Sequence, residues 1–230
     1  MNIMEKYIKL ISGYLEKLKI EESKLDAAAA LMAKTIENDG LIHIFGTDPH
    51  SVSAGDELFY MGGGLANINP FYDPAFSLAH GAYRCSLCQT LDGLAPVVMD
   101  YYENAKAGEP IIIIGSRPDA MVFTQAVEKA LNMKLRVIAI TSMDGAKEPA
   151  WASSIDVLID NHAPENDCVL LCSGVATAGV TSILTEAILN LLTAKTIEKL
   201  PDAPVWSGSR TVSIDDKPMI SHLINRIRHL

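Results

Sequence analysis

The sequence predicts an α/β protein: a doubly wound parallel sheet flanked by helices, with helical arms at both ends. Three observations lead there. Residues 111–115 read IIIIG, four isoleucines without polar alternation, the pattern of a central parallel strand buried on both faces. Short apolar runs then alternate with helix-length segments along most of the chain. Finally, 230 residues, 49% apolar and 20% charged, suit a globular chain able to bury a full core.

The elements follow in order. Over residues 3–18, Met4, Tyr7, Ile8, Ile11, Tyr14, Leu15 and Leu18 share one helical face. Ser23 with Asp26 resembles a capping box opening an alanine-rich helix over about 24–38, and Gly40 stands where a helix-ending glycine is expected. LIHIF (41–45) is a strand, followed by the loop GTDPHS, a helix over about 51–61 broken by Gly62, Gly63 and Gly64, and a strand at LANIN (65–69). Residues 73–92 predict a short helix and a loop, and 95–105 a helix. After the IIIIG strand, SRPD turns into a helix reaching about 132, with Pro118 in its first turn. RVIAIT (136–141), DVLID (156–160) and CVLLC (168–172) read as further strands. A long helix over about 176–198 offers Val180, Ile183, Leu184, Ala187, Ile188, Leu191 and Leu192 to the core, and a last helix covers about 216–229. No composition shift marks a linker, so residues 1–230 read as a single domain.

Charge and hydropathy narrow the function classes. The net charge is -9 and no basic run is present, which argues against a nucleic-acid partner. No stretch is apolar enough to span a membrane. The N-terminus places Glu5, Lys6 and Lys9 inside an amphipathic pattern unlike a signal peptide, so a cytoplasmic location is expected. Cys85 with Cys88 (CSLC) and Cys168 with Cys172 (CVLLC) suggest a zinc site or a redox pair. Reduced structural thiols fit better, because the second pair flanks an apolar, strand-like run.

In open parallel sheets ligands bind beyond the C-terminal ends of the strands. Four predicted turns lie there, carrying Thr47, His50 and Ser51; Ser116 and Arg117; Thr141 and Ser142; and Thr181 and Ser182. Taken singly, each hydroxyl is a cap or turn residue. Converging at one sheet edge, with helix N-termini behind them, they predict an anion site.

Several stretches carry a family resemblance: 46–70, 111–121, 134–142, 156–161, 179–192, VWSGS (205–209) and the final helix. On these the chain resembles the SIS (sugar isomerase) domain family, in a stand-alone branch related to phosphoheptose isomerase. The resemblance implies a five-stranded parallel sheet, a homodimer or higher homo-oligomer, and a sugar phosphate or related anionic sugar as partner. Family members carry a Ser-x-Ser-Gly-x-Ser/Thr loop after the strand matching 111–114; here only Ser116 of that loop is kept, with Arg117 offering a cationic contact instead. Thr141-Ser142 keeps the second family element and Ser182 the third. Zinc-dependent members take His, Glu and Gln ligands at positions that here hold Asp56, Tyr60, Thr185 and Thr193, so no metal and no cofactor are expected.

An aldose–ketose isomerisation needs a base that moves a proton between adjacent carbons. Glu186, Glu57 and His80 are the candidates. Glu186 is flanked by core-facing Leu184, Ala187 and Ile188; Glu57 reads equally as a solvated helix residue; and a lone His is as often structural as catalytic. The expected function is therefore binding of a phosphosugar and its isomerisation. A non-catalytic phosphosugar sensor and a sugar-ether lyase are the alternatives, and the altered loop at 115–119 favours the sensor or a changed ligand.

Overall fold

The structure is a computed structural model that describes residues 1–207 and 216–230. The chain runs α1 (Ile3–Lys17), α2 (Glu22–Glu37), β1 (Ile42–Gly46), α3 (Pro49–Asp56), β2 (Ile68–Pro70), α4 (Ala82–Cys88), α5 (Leu94–Asp100), β3 (Pro110–Ile114), α6 (Met121–Asn132), β4 (Arg136–Thr141), β5 (Val157–Asp160), β6 (Cys168–Cys172), β7 (Val175–Gly179), α7 (Thr181–Lys199) and α8 (Lys217–Leu223).

Five strands form one parallel sheet in the order β2-β1-β3-β4-β5. The IIIIG run is its centre, and its alternation explains why it carries no polar residue. Ile112 and Ile114 join Ile44, Ile138 and Ile140 against Leu25, Met32, Ile188 and Leu192 of α2 and α7. Ile111 and Ile113 face the other way, against Met99, Phe123 and Val127 of α5 and α6. Burial on both faces leaves no position for a charge. Pro70 ends the edge strand β2, where a missing N–H removes no bond between two strands.

The helix boundaries follow local chemistry and correct several expectations. The capping box lies on α1, where Asn2 and Glu5 cap each other; Ser23 and Asp26 form none, because α2 continues directly from a 3-10 turn at Leu18–Glu21. α2 ends with Asp39 in the left-handed region (φ 55°), its N–H on Ile36 O, while Gly40 N–H reaches Thr35 O at 2.8 Å. Gly40 thus serves one step after the left-handed residue; a Cβ there would lie 2.7 Å from Thr35 Cγ2. The helices predicted at 51–61, 95–105 and 216–229 are shorter, at Pro49–Asp56, Leu94–Asp100 and Lys217–Leu223.

The largest departure is at 168–179. Cys168–Cys172 is not a strand of the parallel sheet. It pairs antiparallel with Val175–Gly179, which the sequence reading placed inside or next to a helix. Ser173 (φ 50°) and Gly174 (φ 81°) are both left-handed, the requirement of the two-residue turn that suits a twisted hairpin. Only Leu170 of β6 is buried, and α7 therefore begins at Thr181. Its core face is Leu184, Thr185, Ile188, Leu189 and Leu192; Ile183 and Ala187 are only half-buried and Leu191 is exposed.

No α1 residue is buried, although Ile11 and Tyr14 rest on Ala163, Val180 and Leu184. Near the other terminus, residues 204–206 exchange backbone hydrogen bonds with residues 63–66, the lead-in to β2. Trp206, Leu223 and Ile227 close over Leu41 and Ala66 there. The Gly208-Ser209 end of the VWSGS stretch lies outside the described residues.

Candidate functional site

Between β1 and β3 the strand order reverses. The chain leaves β1 for α3, on the face of α2 and α7, and leaves β3 for α6, on the opposite face. This divergence opens a crevice at the C-terminal strand ends, the usual ligand position of an open α/β sheet. Two glycines make it possible. A Cβ on Gly46 would come within 2.5 Å of Val52 N, so only glycine lets α3 fold back so closely over β1. A Cβ on Gly115 would run into the Phe123 ring and lie 2.8 Å from Thr47 Oγ1.

A cavity of about 610 Å³ fills the crevice. Thr47, Asp48 and His50 line it from the β1–α3 turn, and Ser116 and Arg117 from the turn after β3. Ser86, Gln89 and Thr90 close it from α4 and the turn that follows. Two of the four predicted turns thus meet here. Ser116 N–H donates to Asp48 Oδ2 at 2.6 Å, joining them directly. The Ser116 Oγ has no hydrogen-bond partner.

The other predicted ligands are occupied or elsewhere. Thr47 Oγ1 donates to the Ile114 carbonyl, and Ser51 Oγ donates to Asp48 Oδ1 at 2.9 Å. Arg117 is held by Glu165 (2.9 Å) and Asp119 (3.3 Å), and its hydrogen bonds to Asp119 and then Glu165 push the guanidinium pKa further up. Thr141 is fully buried with an unpartnered Oγ1, and Ser142 donates to the Ala163 carbonyl; neither lines the cavity. Thr181 opens α7, and Asp167 closes that end from outside the helix: its Oδ1 takes Thr181 N–H and Oγ1 at 2.7 Å and Val180 N–H at 2.9 Å. Burial works to raise the Asp167 carboxyl, but those bonds prevail and hold it below the ordinary range. Ser182 meets His50, Oγ to Nδ1 at 3.2 Å, so the fourth turn touches the cavity wall only through His50.

The acid–base candidates stand apart from this cavity. Burial, with Glu57 nearby, raises the Glu186 carboxyl above the ordinary carboxylate range; Glu57 itself is exposed. His80 lines a separate cavity of about 320 Å³ with Asp56, Tyr72, Asp73 and His229. Burial and then Arg228 lower the His229 imidazole, while burial and then Asp56 raise the Tyr72 phenol. Thr185, at a position matching a family zinc ligand, takes the Asn161 amide, and Thr193 offers only a hydroxyl, so the set does not suit zinc. Among the described residues no three His, Cys, Asp or Glu gather to hold a metal. All four cysteines are free, with Cys85 buried and the others half-buried.

Sequence reasoning missed Asp48, Ser86, Gln89 and Thr90. Asp48 had a signal: Asp-Pro-x-Ser is a helix start with the carboxylate as cap and Pro at the first position. The α4 residues had none, because their place at the site depends on how 71–90 folds over the sheet end.

Comparisons with known proteins agree with this architecture. A UPF0309 protein of Caldanaerobacter subterraneus is 29% identical over 99% of this chain and 100% of its own length. A UPF0309 protein of Listeria innocua is 30% identical over 94% of this chain and 91% of its own. Among solved structures, phosphoheptose isomerase GmhA from Neisseria gonorrhoeae superposes with TM-score 0.53 at 21% identity, covering 86% of this chain and 95% of its own. The Vibrio vulnificus NanR protein complexed with ManNAc-6P superposes with TM-score 0.56 at 11% identity, covering 99% of this chain and 70% of its own. At these identities the two structures speak for the fold. The SIS domain model matches residues 6–142, more than half of the chain, and the protein belongs to the SIS domain family.

Proposed function

We propose that the chain, acting as one unit, binds a phosphorylated sugar or sugar derivative in the cavity between the β1–α3 and β3–α6 turns. The single observation carrying this reading is Ser116: it lines the cavity, and its Oγ lacks any hydrogen-bond partner. The Ser116 Oγ is turned away from solvent, and because it has no partner to give up, a rotation about χ1 into the cavity breaks no hydrogen bond and lets a ligand oxygen complete it. About 610 Å³ is the size of a small-ligand pocket. The fold neighbours, one a phosphoheptose isomerase and one complexed with ManNAc-6P, support a sugar phosphate as ligand class.

A cytoplasmic location belongs to the same proposal. No described helix is long and apolar enough to cross a membrane. A homodimer is the proposed assembly. α1 leaves Met4 (65%), Ile8 (55%) and Leu15 (37%) exposed along one face, and a second copy would cover that face.

Isomerisation is the second reading, and one observation favours it. Glu186, held above the ordinary range, retains a proton more readily than a solvated carboxylate and suits acid–base exchange at a sugar carbon. Because neither Glu186 nor Glu57 lines the cavity, binding is the better supported reading. The test is a thermal-shift screen over sugar phosphates, followed by calorimetry. Binding predicts a melting shift with at least one phosphosugar, and about tenfold weaker affinity in Ser116→Ala. No shift with any phosphosugar at millimolar concentration rejects it. Turnover of the bound sugar that disappears in Glu186→Gln, with affinity kept, supports isomerisation.

A further inference from the structure

The N-terminus of α3 and the turn after β3 together form an anion seat: Ser51 N–H and Ser116 N–H converge on one point. The chain fills that seat itself. Asp48 takes Ser51 N–H (3.0 Å) and Ser51 Oγ (2.9 Å) on Oδ1, and Ser116 N–H (2.6 Å) on Oδ2. All three donors are neutral. Among the described residues no cation lies within ion-pair distance of Asp48, which lines the cavity all the same. Arg117, the guanidinium of the cavity wall, is already engaged by Asp119 and Glu165, and His50 leans toward Asp167 at 4.0 Å. The α3 N-terminus and these donors stabilise the Asp48 charge but no cation pairs with it, so a phosphate placed at this end of the cavity would meet a carboxylate.

We propose that Asp48 makes this end of the cavity a seat for a protonated amine, so that the ligand is an amino sugar derivative with its amine on Asp48 Oδ2. This rests on the sugar-binding reading above and sharpens its ligand class. A carboxylate lining the cavity without a cationic partner gains most from a charged N–H donor, whereas a hydroxyl or an N-acetyl group brings no charge.

The test is calorimetry with five sugars (glucosamine 6-phosphate, glucose 6-phosphate, N-acetylglucosamine 6-phosphate, glucosamine and glucose) and with inorganic phosphate for one variant. The wild-type protein should bind glucosamine 6-phosphate about tenfold or more tightly than the other two phosphates. Asp48→Asn keeps a good helix cap and should bring that ratio to about one, by weakening glucosamine 6-phosphate while glucose 6-phosphate binds at least as tightly as to wild type. Asp48→Ser, a shorter cap that frees Ser116 N–H, should bind inorganic phosphate more tightly than wild type. Equal wild-type affinity for amine and hydroxyl probes overturns the proposal, as does a ratio unchanged in both variants. If phosphosugars bind without amine preference, this proposal fails and the phosphosugar reading stands. If glucosamine binds as well as its 6-phosphate and depends on Asp48, the amine seat stands and the phosphosugar reading fails. Binding of none of the five overturns both.

Discussion

His43 Nε2 lies 3.0 Å from Glu109 Oε2 inside the sheet, an imidazole shut off from solvent against a carboxylate 8% exposed. Asn69 contacts His43 Nδ1 at 2.9 Å, and the Glu109 oxygens also accept Leu41 N–H and Lys106 N–H. One polar group thus ties the entrances of β1 and β3 together.

Burial pushes the Glu109 carboxyl up, but the bonds from His43, Leu41 and Lys106 outweigh it and leave it below its ordinary value of 4.5. A depressed acid contributes stability that is fully present above 4.5 and lost as pH falls toward the folded-state value. Thermal melts should fall on acidification below about pH 4.5. Glu109→Gln should be less stable at pH 7 by about 1–3 kcal/mol, melt lower accordingly, and show a shallower acid slope. Parallel slopes would remove Glu109 as the source.

Glu186 carries the opposite sign. Its folded-state carboxyl is raised by burial and Glu57, so its charge opposes folding once pH rises above the unfolded value. Glu186→Gln should melt higher than wild type at pH 7 and equal to it near pH 4. A lower melting point at pH 7 would contradict this.

Gly115→Ala should destabilise by about 1–3 kcal/mol, because its Cβ forces Phe123 and Thr47 apart in a packed region. The same displacement moves the Ser116 turn, so ligand affinity should fall with stability. Denaturant unfolding and calorimetry read the two effects.

Asp167→Ala should cost about 1–2 kcal/mol, since Thr181 N–H and Oγ1 lose their acceptor at the start of α7, while Val180 N–H keeps the Asp167 backbone carbonyl at 3.0 Å. Asp167→Asn should recover most of that at neutral pH. Equal losses in both variants would mean the cap acts through charge.

The layered architecture was legible because burial on both faces leaves a strong trace: 111–114 and 136–141 admit only apolar residues and small hydroxyls once the first position is passed. CVLLC gave the same trace from a different cause. One buried residue and an exposed Leu171 on a hairpin read like a core strand, and the deciding signal was Ser173-Gly174, whose left-handed turn reverses the chain. At the site, the positions of the turns were legible and the use of their hydroxyls was not. Ser142, Ser51 and Thr181 spend their hydroxyl hydrogens on Ala163, Asp48 and Asp167, partners brought in by folding and, for Ser142 and Thr181, distant in sequence.

The pairing of residues 63–66 with 204–206 has a consequence during synthesis. The lead-in to β2 leaves the ribosome long before Val205 and Trp206 exist, so a nascent chain of about 200 residues holds Leu41 and Ala66 against Phe59 without Trp206, Leu223 and Ile227. Vectorial folding therefore completes the entrance of the sheet only after the segment that carries Trp206, Leu223 and Ile227 has emerged, and chaperone engagement should persist until then.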